Sequence, residues 1–408
     1  MTDSLLTQTR KPFESIWLLL IAGFFAHLWL IYTGLRGIGT PMGDILYAYQ
    51  PWVQFMIDSQ KLLGVNVDWV YPYLAWLPIW LANLITRGNL LWGWIAIWAL
   101  FQLSGLWLLT SFKVGGQKNE RFVAGYFWLA ATLLLGPVSI SRLDAFSVGF
   151  AISGVVLLLA GFARTSSFLI TVGLWIKVWP IAIIAAVFAS AKQKVKTLTY
   201  YASFSGVIVL FAVLLGANTA LFSFLSDQGG RGIQIESPLA TFWLWPAVMG
   251  DNAFGINYNG PLMTFEVFGP NTDLFATLMT IVQLGALAIT LTLALVASKR
   301  GADQKNILFW ASFTGVLDLI VFNKVGSPQY LTWLVVPVVI GILAKAQAWK
   351  TVAGLTLIVS FLTWLIYPFA YDAILASHFW ETALLTLRNA VLLGSLVYAN
   401  LELQKLGK

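Results

Sequence analysis

Asp44 stands in "MGDILYAYQPW", between a glycine turn and an aromatic run. A carboxylate placed there suits a base that takes a proton from a sugar hydroxyl, with Tyr47 and Tyr49 as stacking walls. The same position equally suits a helix cap ahead of the aromatic run. "SISRLDAF" puts Arg142 two residues before Asp144. That spacing allows a local ion pair, an aspartate helix cap, or a pair in which Arg142 binds an anion and Asp144 orients a sugar. Lys177 lies deep in the apolar "LWIKVWPIA". An ionisable group at membrane depth is costly, so a functional role is weighed first and snorkelling second. Arg231 is flanked by Gly229, Gly230 and Gly232, with Glu236 five residues on in "RGIQIESP". Glycines let a ligand approach the backbone and an arginine fork fits a phosphate, while Glu236 could pair with Arg231 or bind a hydroxyl. Lys324 precedes Ser327, Gln329 and Tyr330 in "VFNKVGSPQYLTW". There a cation and the N–H groups of a helix starting at Pro328 would face one anion, with Asp318 as the nearby neutralising carboxylate.

The elements that must hold these residues are membrane helices. Of 408 residues, 59% are hydrophobic and 10% charged, and several apolar runs exceed the ~18 residues of a spanning helix. The fold class is therefore an all-α polytopic membrane protein forming a single integral domain, residues 1–408. No cysteine is present, which excludes disulfide and thiol chemistry. His27 and His378 do not make a metal site, and no metal or cofactor is expected. The +7 formal charge reads as a sidedness signal rather than as a nucleic-acid signal.

Arg10 and Lys11 place the N-terminus in the cytoplasm, and the first apolar run is read as a retained span. Tyr71–Thr86 is short and carries Pro78, so it is expected to lie at the interface or re-enter. That assignment brings Lys113, Lys118 and Arg121 back to the cytoplasm. Ser166–Ser190 is expected to break at "WIKVWP" into two short helices that enter the membrane and return. Otherwise Lys192, Lys194 and Lys196 would fall outside. Long outer loops follow at about 36–89 and 218–272, and both termini are cytoplasmic. Of the 24 Lys and Arg, sixteen then lie inside, and eight, Lys177, Lys324 and Arg388 among them, lie on or near the outer side. The rule leaves those eight unexplained.

"GDILYAY", "YPYLAWLP", "RLDAF", "KVWP", "RGIQIESP" and "KVGSPQYLTWL" occur in this order between Gly43 and Leu334. On these motifs the chain resembles the bacterial polyprenyl-phosphate-mannose-dependent mannosyltransferases of the GT-C superfamily (glycosyltransferase family 87). One departure is "YPYL", where the family usually shows "YPPL". The part of the second outer loop beyond Asp251 matches no family motif. The resemblance implies a GT-C-like bundle of about 11–12 membrane helices, interfacial helices in the first outer loop, and an active site on the outer face of the plasma membrane. It implies Asp44 as the base and Lys177, Arg231 and Lys324 around the phosphate of a lipid-linked donor. Tyr47, Tyr49, Tyr71, Arg142, Asp144, Glu236, Gln329 and Tyr330 are then candidates for sugar or acceptor contact. The expected partners are a polyprenyl-phosphate sugar, a glycolipid or glycan acceptor, and the bilayer. Two alternatives stay open: a related enzyme moving arabinofuranose or glucose, and a lipid or solute transporter.

Overall fold

The computed structural model describes residues 12–112, 119–226, 230–260 and 262–408. Arg10, Lys11, Lys113, Lys118 and Gly229 lie outside the described residues. The chain runs through α1 (Ile16–Arg36), α2 (Gln50–Ser59), α3 (Trp76–Thr86), α4 (Leu90–Ser111), α5 (Asn119–Leu135) and α6 (Asp144–Leu159). It continues through α7 (Ala163–Ile176), α8 (Ile181–Ser190), α9 (Lys194–Leu214), α10 (Ser223–Ser226) and α11 (Thr241–Val248). A hairpin of β1 (Gly255–Asn259) and β2 (Thr264–Phe268) precedes α12 (Thr272–Lys299), α13 (Gln304–Val321) and α14 (Val335–Ala344). The last helices are α15 (Trp349–Trp364), α16 (Tyr371–Leu375) and α17 (Phe379–Leu406).

Among the described residues seven helical segments are long and apolar enough to cross a membrane, and four further apolar helical segments are shorter. The protein is thus a multi-pass, essentially α-helical membrane protein. The β1–β2 hairpin is its one small β element among the described residues. α13 sits at the centre, buried along nearly its whole length, against α8, α12, α14 and α17. α9 and α12 turn most of their apolar surface outward, as helices solvated by lipid do.

Local sequence sets the ends of these elements. Asn89 and Asp303 cap α4 and α13 by accepting from the backbone N–H of Trp92 and Asn306. α3 has 11 residues and rises about 16 Å, too little to cross a core of roughly 30 Å. It lies instead along α4, where Gly93 meets Ala82 so closely that a Cβ would sit 1.9 Å from the Ala82 carbonyl oxygen. α7 stops at Lys177, whose φ of −152° is extended, and Pro180 precedes α8. The ends of this pair away from the break return to one place. The α6–α7 turn, around Gly161 and Arg164, and the α8–α9 turn, around Lys192, line one cavity. The expected helical hairpin is therefore present.

The bundle sorts its charges by end. Lys194 Nζ donates to Ser298 Oγ at 3.1 Å, and Lys345 pairs with Glu120 at 2.8 Å. Arg300 donates to the carbonyl of Gly407. Arg164, Lys192, Lys194, Arg300, Lys305 and Lys345 thus gather at one end with the C-terminus. Asp44, Arg142, Lys177 and Lys324 gather at the other.

The second long loop, 218–272, is a folded lobe rather than an open connection. The backbone N–H of Asn218 donates to the Val65 carbonyl at 3.0 Å, and that of Trp69 to Ser223 Oγ at 2.8 Å, so the lobe is tied to the first loop. It is also locked to the break after α13. Gln234 N–H donates to the Lys324 carbonyl at 2.9 Å, and Ser237 Oγ to the Asn323 carbonyl at 2.8 Å. Gly326 is what allows this. A Cβ there would lie 2.1 Å from Ser237 N and 2.3 Å from Glu236 C, both backbone atoms. Gly326→Val is expected to destabilise the protein by about 1–3 kcal/mol or more. Gly354→Ala, where a Cβ meets nothing within 4 Å, is the control and should leave the thermal midpoint in detergent unchanged or higher.

Candidate active site

The segment after α1 reaches the site by way of Pro41 and Asp44. Asp44 makes no cap hydrogen bond, so the cap expectation fails. Its Oδ2 instead pairs with Arg142 Nε at 2.8 Å. Arg142 Nη1 also donates to the Pro41 carbonyl at 3.1 Å and Ser141 Oγ at 2.9 Å. The turn that carries Arg142 is pinned on both sides. Trp94 Nε1 donates to the Ile140 carbonyl at 2.8 Å, and Leu143 N–H donates to the Tyr49 hydroxyl at 3.3 Å. Burial by itself disfavours the Arg142 charge, but the Asp44 carboxylate and the Tyr367, Tyr49 and Tyr71 hydroxyls together more than offset this and raise its pKa.

Asp144 opens α6 and neither pairs with Arg142 nor caps its helix. Its Oδ2 lies 3.4 Å from Lys177 Nζ, and its Oδ1 accepts from Trp333 Nε1 at 2.7 Å. α6 and α7 run antiparallel and close. Ser147 Oγ donates to the Gly173 carbonyl at 2.9 Å, and a Cβ on Gly173 would lie 3.1 Å from the Ser147 carbonyl oxygen. That approach sets Asp144, at the start of one helix, against Lys177, just past the end of the other. Lys177 Nζ also lies over the Tyr71 ring at 4.5 Å and the Tyr330 ring at 5.6 Å. Tyr330 stacks on Trp333 at 4.1 Å, and Trp333 on Trp179 at 5.7 Å. Neighbouring residues in the sequence thus exchange partners: Arg142 goes to Asp44, and Asp144 to Lys177.

Glu236 is buried, and its carboxyl is pushed up to about 7 by burial, against the pull of Arg388 and Arg142. Its charge partners are therefore those arginines, not the expected Arg231. Arg388 Nη2 donates to the Glu236 carbonyl at 2.7 Å. Arg231 lies instead near Lys324 and Tyr330. Burial and then Arg231 lower the Lys324 ammonium, while Glu266 opposes them. Asp318, the sequence candidate for neutralising Lys324, faces α12 and accepts from Thr290 Oγ1 at 2.6 Å. The segment from Pro328 begins as a 3-10 run, and Tyr330 N–H already donates to the Ser327 carbonyl at 3.1 Å. Any anion there would rely on side chains rather than on a helix end.

Most of the sequence-derived candidates thus converge on one end of the bundle. Tyr49 is not free to act as a stacking wall. Tyr49 is buried between Trp52 and Trp94, and Tyr47 is exposed with no ring partner among the described residues. Gln329 is buried with no side-chain hydrogen bond among the described residues. Arg388, Trp333, Trp179 and Tyr367, which lies against Arg142, are members that the motifs alone did not single out. The signal for Arg388 was present, as an arginine inside an apolar helix. Among the three carboxylates Asp144, Glu236 and Asp44, only the Asp44 side chain is substantially open, at 41% exposure. No cluster of three metal-ligating residues occurs among the described residues.

No protein-family model, curated protein or solved structure matches this chain.

The raised Glu236 carboxyl has a defined sign. Folding holds its proton more tightly than the unfolded chain does, so stability falls as pH rises from about 4.5 through about 7. Glu236→Gln is expected to flatten that part of the pH–stability curve, read as thermal midpoints across the window.

Proposed function

We propose that the protein is a membrane glycosyltransferase that moves a hexose, mannose on the motif resemblance, from a polyprenyl-phosphate donor to a hydroxyl acceptor. The reading places the reaction at the outer face of the plasma membrane, with both termini cytoplasmic. The observation that carries it is the state of Asp44. It is the open carboxylate of a charged cluster, with Oδ2 oriented by Arg142 and Oδ1 without a partner among the described residues.

In this reading Asp44 Oδ1 takes the proton of the acceptor hydroxyl. The acceptor oxygen bonds to the anomeric carbon as the bond from that carbon to the phosphate oxygen breaks. The lipid phosphate leaves with the electron pair, and attack opposite the leaving group inverts the configuration. Arg231 and Lys324 are suited to receive the phosphate. Both are partly or wholly buried, and Arg231 helps to lower the Lys324 ammonium, a repulsion that an anion between them relieves. Lys177 is more committed to Asp144 and the two tyrosine rings, so its part is to hold that wall in place. An apolar groove of about 280 Å³ between α8, α12 and α13 supports a lipid donor. It starts at Ile181, four residues past Lys177, and Ala182, Ala186, Ala294 and Gly315 leave it room for a branched chain.

Asp44→Asn is expected to abolish sugar transfer in membranes supplied with polyprenyl-phosphate-mannose, with donor binding and thermal stability retained. Unchanged turnover would sink the assignment. Lys324→Met is expected to raise the donor KM by about tenfold or more, the loss of one charge-assisted phosphate contact. Flux of solute or lipid in vesicles without any glycosylated product would favour transport instead.

A further inference from the structure

The opposite end of the bundle holds a cavity of about 600 Å³ that the proposed reaction does not use. Three turns that are distant in sequence build it: the α6–α7 turn, the α8–α9 turn and the start of α13. Arg164, Lys192, Lys196 and Lys305 line it. No aspartate or glutamate does. Asp303, the nearest carboxylate in sequence, caps α13 and does not line the cavity.

Sidedness alone explains basic residues at this end, but not their arrangement. The neighbouring cations are engaged. Lys194 donates to two backbone carbonyls and to Ser298, Lys345 pairs with Glu120, and Arg300 donates to the Gly407 carbonyl. The four that line the cavity make no ion pair or side-chain hydrogen bond among the described residues. Four like charges around one recess repel each other, and an anion would relieve that repulsion. The volume falls in the roughly 300–1,000 Å³ range of pockets that hold a small ligand.

The walls indicate what kind of anion. Leu158, Phe162 and Leu308 line the cavity beside the cations, and Phe162 is half exposed. Tyr200 adds a ring with a hydroxyl. A recess with cations and polar groups beside apolar side chains, at the polar end of membrane helices, fits a phosphate head carried on acyl chains. We propose that this cavity is a binding site for a phosphate-bearing anion, occupied by the headgroup of an anionic phospholipid from the adjacent leaflet. Its occupant would join the turns at the base of α7 and α8.

The test uses the full chain in mixed micelles, with phosphatidylglycerol, phosphatidylcholine or inorganic phosphate as probes. Lipid retention is read by native mass spectrometry and protection by thermal unfolding. The wild type should retain phosphatidylglycerol, and its thermal midpoint should rise with that lipid but not with phosphatidylcholine. Arg164→Gln/Lys192→Gln/Lys305→Gln should weaken retention by roughly a hundredfold, at about one surface cation's share for each charge removed. These side chains are exposed, so the variant should fold, which a single symmetric size-exclusion peak would verify. Lys192→Arg/Lys305→Arg should keep the lipid. Equal retention by the glutamine variant, or equal protection by phosphatidylcholine, overturns the proposal. Protection by inorganic phosphate without lipid retention overturns the lipid as occupant.

Discussion

The site end of this protein is organised by the need to neutralise charge where water is scarce. Arg142 and Asp144 are two positions apart, yet each takes a partner from elsewhere in the chain. Arg142 holds Asp44 from the first loop, and Asp144 holds Lys177 from the helix break. The exchange links three distant segments through a single tight turn. Removing one member of the buried Asp144–Lys177 pair strands the other charge, which typically costs about 3–5 kcal/mol, whereas the Arg142–Asp44 pair keeps its carboxylate side open. The geometry of the turn is therefore a condition for the loop, the break and the cluster alike. Trp94 and Tyr49 meet that condition by bonding its backbone on either side.

Only one consequence of the pairing is asymmetric. Asp144 is sealed by Lys177 and by Trp333, while Asp44 gives one oxygen to Arg142 and keeps its side chain partly open. Two aspartates that look alike in the sequence thus differ in access. The difference comes from what packs over them, namely an indole over one and loop backbone beside the other. Selectivity between the two carboxylates is a packing property before it is an electrostatic one.

Much of the architecture was legible because it follows from hydrophobic length and the placement of basic residues. The return of α7–α8, the shortness of α3 and the gathering of Arg164, Lys192 and Lys305 at one end all follow from those two rules. The candidate site was legible in membership more than in wiring. Lys177, Arg142 and Lys324 stood out as cations that orientation did not explain. Their partners did not, because pairing depends on contacts between residues tens of positions apart, as in Asp44–Arg142 and Asp144–Lys177, that spacing cannot encode. The local Arg142–Asp144 pair and the Asp44 cap were reasonable nearest-neighbour readings, and tertiary contacts overrode both. The folded lobe around β1 and β2 was hidden for a different reason. Its register rests on backbone contacts with Asn323 and Lys324, which a glycine makes possible and no side-chain pattern announces.

The lengths of α6, α7 and α8 set a depth. They contain 16, 14 and 10 residues, and so rise about 24, 21 and 15 Å from the basic end. A hydrocarbon core is roughly 30 Å thick. Helices of these lengths that start at one surface of such a core end several ångströms short of the other, and Asp144 and Lys177 stand at those ends. On the proposed function, a lipid donor that brings its phosphate to Arg231 and Lys324 beside them must sink below its neighbours, or the leaflet must thin around the protein. On that reading the short hairpin makes local membrane deformation part of reaching the site.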